Sequence, residues 1–312
     1  MLPRLPAIIA EPLRARYDLL GPLDASPSSP GPDALPPGAA SARAVVTMGS
    51  LALGAPLIAA LPALELVATW GTGYDAVDRS ALAARGIALA NAGDANAASV
   101  AELAMGLILA TARLIPAGDR TVRAGRWLGN AAGRMPNAPG LVGRRLGIYG
   151  LGAIGTRVAA RAAGFEVEIG YHNRRRRDDV PYLYHGSLAD LAAWADVLVV
   201  AARGGADNRH AVDAAVLRAL GPGGHLVNVA RGSLVDTEAL CAALETGGIA
   251  GAALDVFERE PEVPERLRAL EGAVLTPHLG ASTAFSHAAQ ARMMLDNLAA
   301  HFAGGRPPGL VE

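Results

Sequence analysis

The chain has 312 residues, enough for two lobes that each bury an apolar interior rather than for one comfortable core. Its 28 basic and 29 acidic residues leave a net charge of -1, so no global field draws nucleic acid or an anionic membrane surface, and neither is expected as a partner. A single cysteine, Cys241, excludes an internal disulfide framework and points to a reducing compartment, with the cytoplasm as the expected location.

The first residues, Met1 to Pro6, are broken by prolines and lack the apolar stretch of an export signal. The Pro/Gly/Ser-rich stretch Ser26 to Gly38 is read as a surface loop without chemistry, its prolines forbidding a regular element. Beyond it, short apolar runs alternate with helical stretches: Ala44 to Thr47, Leu57 to Leu61, Leu64 to Thr69, Val77 to Arg85 and Ile87 to Ala90. That alternation is the βαβ signature of a parallel sheet.

Apolar residues Val100, Leu103, Ala104, Leu107 and Leu114 recur at helical spacing and predict one long helix from Ala97 to Ile115, connecting the lobes. Its apolar region, Val100 to Leu114, carries Glu102 and Arg113 and falls short of the ~20 residues that span a bilayer, so it reads as a buried helix rather than a membrane segment. After the Gly/Pro-rich passage Gly125 to Gly143, six strands are expected in a doubly wound sheet: Leu146–Tyr149, Val167–Tyr171, Val197–Ala201, His225–Val229, Gly251–Val256 and Val274–Thr276. A last helix, about Phe285 to Phe302, is expected to return to the first lobe and make it discontinuous.

Gly150-Leu151-Gly152-Ala153-Ile154-Gly155 follows the first of these six strands and opens a helix. The first glycine permits the tight turn, the second lets backbone approach a pyrophosphate, and the third allows close packing of helix on strand, which together describe a dinucleotide site. At the tip of the next strand an acid would bind a ribose 2′-hydroxyl, but the chain reads Tyr171-His172-Asn173-Arg174-Arg175-Arg176-Arg177. Guanidinium groups at this place suit a 2′-phosphate, so NADPH is the preferred cofactor and NADH the alternative. The competing reading is a solvated basic run balanced by Asp178 and Asp179.

Three further segments fall at strand ends, where open α/β sheets place their ligands: Asn228 to Gly232, Leu254 to Pro261 and Thr276 to Gly280. They supply a cation, Arg231, a carboxylate, Glu260, and an imidazole, His278. Reduction of a 2-keto acid needs these three: a forked donor for the substrate carboxylate and carbonyl, a proton donor, and an anion that steadies the imidazolium. Each residue alone has an ordinary surface or loop explanation. His172, His185, His210, His225 and His287 form no ligand spacing with one another or with Cys241, so no metal is expected.

Over nearly its whole length the sequence resembles the D-isomer-specific 2-hydroxyacid dehydrogenase family, in particular its glyoxylate/hydroxypyruvate reductase branch. The resemblance rests on Gly71-Thr72-Gly73-Tyr74-Asp75, Ser99-Val100-Ala101-Glu102, the glycine fingerprint, Asn228-Val229-Ala230-Arg231-Gly232, Leu254-Asp255-Val256-Phe257 with Glu260-Pro261, and Thr276-Pro277-His278. It implies Arg231, Glu260 and His278 as the catalytic trio, and Asp255, with the backbone at Val229, at the nicotinamide carboxamide. It further implies that backbone amides at Trp70, Gly71 and Thr72 meet the substrate carboxylate, with Leu51 close by. The implied architecture is α/β: two Rossmann-like/flavodoxin-like domains, the cofactor domain being a doubly wound parallel sheet inserted into the discontinuous substrate domain, with the active site in the cleft between them, in a homodimer. The expected bounds are 1–97 with 283–312 for the substrate domain and 98–282 for the dinucleotide-binding domain.

Two departures stand out. Ala202-Arg203-Gly204-Gly205 replaces a proline found in many members, and Arg203 is read either as a further phosphate contact or as an exposed side chain. Trp70 occupies a position that is often small or aliphatic, which narrows the expected substrate pocket. The alternatives are another 2-hydroxyacid dehydrogenase, acting on an aryl pyruvate or on phosphoglycerate, and a non-catalytic dinucleotide-gated binding protein, against which the intact trio argues.

Overall fold

In the computed structural model, residues 6–21, 31–49, 52–128 and 135–312 are described. They divide into two compact units, Met1–Asn96 with Ser282–Glu312, and Ala97–Ala281. Of the stretch read as a surface loop, residues 26–30 lie outside the described residues. The remainder contains one 3-10 turn, Pro32–Ala34, with a proline at its start, where a missing N–H costs nothing.

The first unit runs α1 (Ala7–Arg14), β1 (Ala44–Thr47), α2 (Ala55–Ala59), β2 (Leu66–Thr69), α3 (Arg79–Ala84) and β3 (Ala88–Ala90). Its sheet is parallel in the order β1-β2-β3, with Val45 opposite Val67 and Val67 opposite Leu89. Because side chains alternate across a strand, Val45, Val67 and Leu89 pack with Leu57, Ile58 and Leu82 on one face, while Val46, Leu66 and Ala90 pack with Ile9, Leu13 and Met294 on the other. Both faces are covered, which is why these strands read as unbroken apolar runs. Helix α1 was not foreseen from the sequence. It tolerates Pro12 because Ile9, Ala10 and Leu13 bury the face that holds it down.

The second unit opens with α4 (Ala97–Ala112), buried on most sides, and then α5 (Ile115–Arg123), bent from it by 61°. The single helix expected to reach Ile115 therefore stops three residues earlier. Leu114 adopts a left-handed backbone (φ 55°), and the new helix carries a proline in its first turn. Among the described residues no single helix is long and apolar enough to cross a membrane.

From there strands and helices alternate: β4 (Arg145–Tyr149), α6 (Ala153–Ala162), β5 (Glu168–His172), β6 (Leu183–Tyr184), α7 (Leu188–Trp194), β7 (Val197–Val200), α8 (Ala214–Leu220), β8 (His225–Asn228), α9 (Thr237–Glu245), β9 (Gly251–Leu254), α10 (Glu265–Arg268) and β10 (Ala273–Leu275). All seven strands pair in parallel in the order β10-β9-β8-β7-β4-β5-β6. The chain leaves β4 toward one edge and returns through β7 toward the other, so the order reverses beside β4, where such sheets bind ligands. Six of these strands are expected from the sequence; the seventh, β6, is two residues long and too short to show a period.

Helix α11 (Ala284–Phe302) closes the first unit, packing on α1 and β2. Its Asn297 is fully buried, donates to the carbonyl of Asn91 at 2.9 Å and accepts the amide of Gly309 at 2.7 Å. Asn297→Leu strands both of these backbone groups, so it is expected to destabilise the unit by about 2–4 kcal/mol, read as a lower midpoint in chemical denaturation followed by circular dichroism.

Candidate active site

The turn after β4 is built from its glycines. Gly150 has φ +98° and lies so close to the next loop that a Cβ there would meet the backbone of Ala202 at 2.4 Å. At Gly155 a Cβ would meet the carbonyl oxygen of Gly150 at 2.2 Å, whereas at Gly152 it would meet nothing within 4 Å. The turn is therefore tight where chain meets chain and open at Gly152, the N-cap of α6, where no side chain caps the helix. This is the cradle a pyrophosphate requires. Leu151 serves the scaffold: its side chain is buried, its amide donates to Asn173 Oδ1 at 2.7 Å, and its carbonyl accepts from Arg177 at 3.0 Å.

At the tip of β5, His172 stacks between Tyr149 and Tyr184, with centroids 6.0 and 6.3 Å away, and its Nδ1 meets the carbonyl of His185 at 2.8 Å. The arginine run divides. Arg176 pairs with Asp178 at 3.3 Å and Arg177 pairs with Asp179, so part of the run is balanced by its own acids. Arg174 and Arg175 are exposed and meet no acceptor among the described residues.

Beyond β8, the buried Asn228 accepts the amide of Ala230 on Oδ1 at 3.0 Å and donates to the carbonyl of Arg231 at 2.9 Å, folding the turn that presents Arg231. The Arg231 side chain runs along Gly204, where a Cβ would come within 2.8 Å of its Cγ, and its guanidinium donates to the carbonyl of Ala230 at 2.8 Å. Gly232 abuts the peptide after β9: a Cβ there would lie 1.9 Å from the carbonyl carbon of Phe257. Only glycine lets the arginine turn meet the glutamate segment this closely. Val229 is buried, with its amide on the carbonyl of Val200.

Glu260 accepts the amide of Phe257 on Oε1 at 3.0 Å and faces His278 Nδ1 through Oε2 at 2.6 Å. Since a carboxylate only accepts, Nδ1 carries the hydrogen toward Glu260, leaving Nε2 as the nitrogen that can hold or release a proton. The Glu260 hydrogen bond holds the His278 pKa above its ordinary value, against burial and the charge of Arg231, which both lower it. For Glu260, burial pushes upward, but hydrogen bonds from His278 and the Phe257 amide outweigh it and keep the carboxyl below its usual range.

The segment carrying His278 is gripped by Asp255, which is 1% exposed at the end of β9. Its carboxylate accepts from Thr276 Oγ1 at 2.6 Å, the Leu279 amide at 2.7 Å and the Gly280 amide at 2.8 Å, and its carbonyl accepts the His278 amide at 2.9 Å. His278 itself has φ +54°. Asp255, expected at a nicotinamide, is thus also the residue that positions the imidazole. A second brace went unread in the sequence. Glu258 accepts from Arg209 at 2.8 Å, pairs with His210 at 2.9 Å and accepts the Thr237 amide at 3.1 Å. Burial pushes its carboxyl up, yet the His210 and Thr237 bonds bring it down to about 2. Glu and His 48 positions apart carry no local signal that they meet. Among the described residues no group of three or more His, Cys, Asp or Glu side chains is placed to hold a metal.

In the first unit, the Trp70 amide is engaged with the carbonyl of Thr47 at 2.8 Å, and its ring, 5% exposed, packs against His287. The carbonyl of Gly71 is held by Thr69 Oγ1 and the Ala92 amide, each at 3.1 Å, and that of Thr72 by Asn91 at 2.9 Å. Among the described residues, the amides of Gly71 and Thr72 meet no acceptor, in contrast to that of Trp70. Leu51 lies outside the described residues.

Residues 105–280 match the model of the D-isomer specific 2-hydroxyacid dehydrogenase NAD binding domain. The chain is 44% identical over 264 residues to a glyoxylate/hydroxypyruvate reductase of Arabidopsis thaliana, covering 85% of this chain and 83% of that one. It is 43% identical over 266 residues to the hydroxyphenylpyruvate reductase of Plectranthus scutellarioides, covering 85% and 84%. The NADPH-dependent glyoxylate/hydroxypyruvate reductase of Sinorhizobium meliloti, solved in complex with NADP and malonate, superposes with a TM-score of 0.90 at 38% identity, covering 99% of this chain and 95% of that one. The chain belongs to the D-isomer specific 2-hydroxyacid dehydrogenase family. It is an oxidoreductase that carries the family's NAD-binding domain.

The raised His278 pKa has a direct check. Protonated His278 is favoured by the fold, so this contribution to stability is complete at low pH and fades as pH rises through the raised pKa. Glu260→Gln is expected to move the His278 titration, followed by imidazole NMR, to lower pH, with the other histidines unmoved.

Proposed function

We propose that this enzyme reduces small 2-keto acids, glyoxylate and hydroxypyruvate, to the D-2-hydroxy acid, with NADPH preferred over NADH. The observation that carries the reading is the His278–Glu260 pair at 2.6 Å, with the charge of Arg231 acting on both groups. An imidazole whose pKa a carboxylate raises, acted on by the charge of a forked cation, suits a carbonyl whose oxygen gains charge as it is reduced.

Arg231 binds the substrate carboxylate through its fork and polarises the adjacent carbonyl. His278 gives the proton on Nε2 to the oxygen that becomes the hydroxyl, while Glu260 steadies the imidazolium through Nδ1. The open backbone at Gly152 fits a dinucleotide pyrophosphate, and the glycine turn Gly150 to Gly155, Asn173, Arg174, Arg175, Val229 and Asp255 would hold such a cofactor. When bound, it supplies the hydride. In the first unit, Gly71 and Thr72 offer amides of the kind a carboxylate needs.

Preference for NADPH follows from Arg174 and Arg175, exposed where an acid would favour NADH. Support also comes from the Sinorhizobium meliloti reductase, which is NADPH-dependent and was solved with NADP. An aryl pyruvate is the second reading, favoured by the similarity to a hydroxyphenylpyruvate reductase.

Loss of nicotinamide absorbance, measured with NADPH and NADH against glyoxylate, hydroxypyruvate, phenylpyruvate and pyruvate, tests substrate and cofactor together. Turnover is expected to be highest with NADPH and glyoxylate or hydroxypyruvate, and a clear NADH preference contradicts the cofactor reading. His278→Ala is expected to lower kcat by roughly 10²–10⁴-fold with cofactor affinity retained. If the variant matched wild type on every keto acid, the chain would be a dinucleotide-binding protein without this chemistry.

A further inference from the structure

Four consecutive arginines follow β5, and the structure separates the last from the rest. Arg177 Nη1 donates to the Leu151 carbonyl and to Thr156 Oγ1, both at 3.0 Å. Its Nε donates to Asp179 Oδ1 at 2.9 Å, and Nη2 bonds the other oxygen of the same carboxylate. A guanidinium has five N–H donors, and four of these are committed to acceptors inside the protein, so the fork that would hold a phosphate is closed.

The backbone of Arg177 is fixed as well. Its amide donates to Tyr171 Oη at 2.8 Å, and that hydroxyl donates to its carbonyl at 3.0 Å. Tyr171 is fully buried in the core of the sheet, so this anchor is rigid. Leu151 meets the same turn a second time, through its amide on Asn173 Oδ1 at 2.7 Å. The two polar backbone groups of one glycine-loop residue are thus bonded to either end of the turn 173–177, with Arg174 and Arg175 between the two attachments.

We infer that Arg177 is a positioning residue that staples the arginine turn to the glycine loop, and that selection of a 2′-phosphate by Arg174 and Arg175 depends on this staple. A turn already held in place loses less conformational freedom when its two exposed arginines close on an anion, and that saving appears as affinity for the phosphorylated ligand alone. The inference rests on the proposed NADPH preference.

The test is calorimetric binding of two nicotinamide-free fragments, 2′-phospho-ADP-ribose and ADP-ribose, to wild type, Arg177→Met and Tyr171→Phe. Wild type is expected to favour the phosphorylated fragment by about tenfold or more. Arg177→Met is expected to remove most of that ratio while leaving ADP-ribose affinity within about threefold. Tyr171→Phe, which keeps the guanidinium and loses only the hydroxyl anchor, is expected to lower the ratio in the same direction by less, and it decides the matter if the first variant fails to fold. Equal binding of both fragments by wild type overturns the cofactor reading together with the staple. A wild-type preference that survives both substitutions, or an equal loss for both fragments, overturns the staple alone.

Discussion

A carboxylate that is 1% exposed is tolerable only when donors surround it, and Asp255 has three on its side chain, from Thr276, Leu279 and Gly280. These bonds draw the segment after β10 across the end of β9 and hold His278 in a left-handed backbone that a non-glycine residue rarely adopts. With the backbone so constrained, Nδ1 of the ring meets Glu260, and the protonation behaviour of the site follows from that meeting. Asn228 does for Arg231 what Asp255 does for His278, and Glu258 braces the segment that delivers Glu260. The residues of the proposed chemistry sit on three adjacent strand ends, and each is fixed by a polar residue that has no part in the proton transfer.

The dinucleotide end of the unit is governed by close approach instead. Gly150 and Gly155 stand where chain meets chain, and Gly152 stands where nothing does. The turn beyond β5 is tied to this loop through Leu151, so the groups assigned to the pyrophosphate and to the 2′-position form one bonded assembly rather than two independent loops.

Much of this was legible in the sequence because its signals are local. The glycine spacing after an apolar run predicted the turn, and alternation of apolar and helical stretches predicted parallel sheets whose strands are covered on both faces. The failures also have physical causes. Two-residue β6 shows no period, α1 contains a proline, and the break at Leu114 depends on a backbone conformation that leucine does not announce. Partner choice was the least legible feature. Which arginine of four is stapled depends on how the chain reverses between residues 173 and 179, and the pairing of Glu258 with His210 depends on two distant loops meeting.

In the proposed reaction His278 delivers a proton as the keto acid is reduced. The most direct test of this role is the single-turnover loss of nicotinamide absorbance in enzyme preloaded with NADPH and mixed with saturating hydroxypyruvate, measured from pH 6 to 10. The expected result is a rate that holds at low pH and then falls about tenfold per pH unit through one ionisation raised from the ordinary histidine value. A rate unchanged across the whole interval would contradict the assignment of His278 as the proton donor.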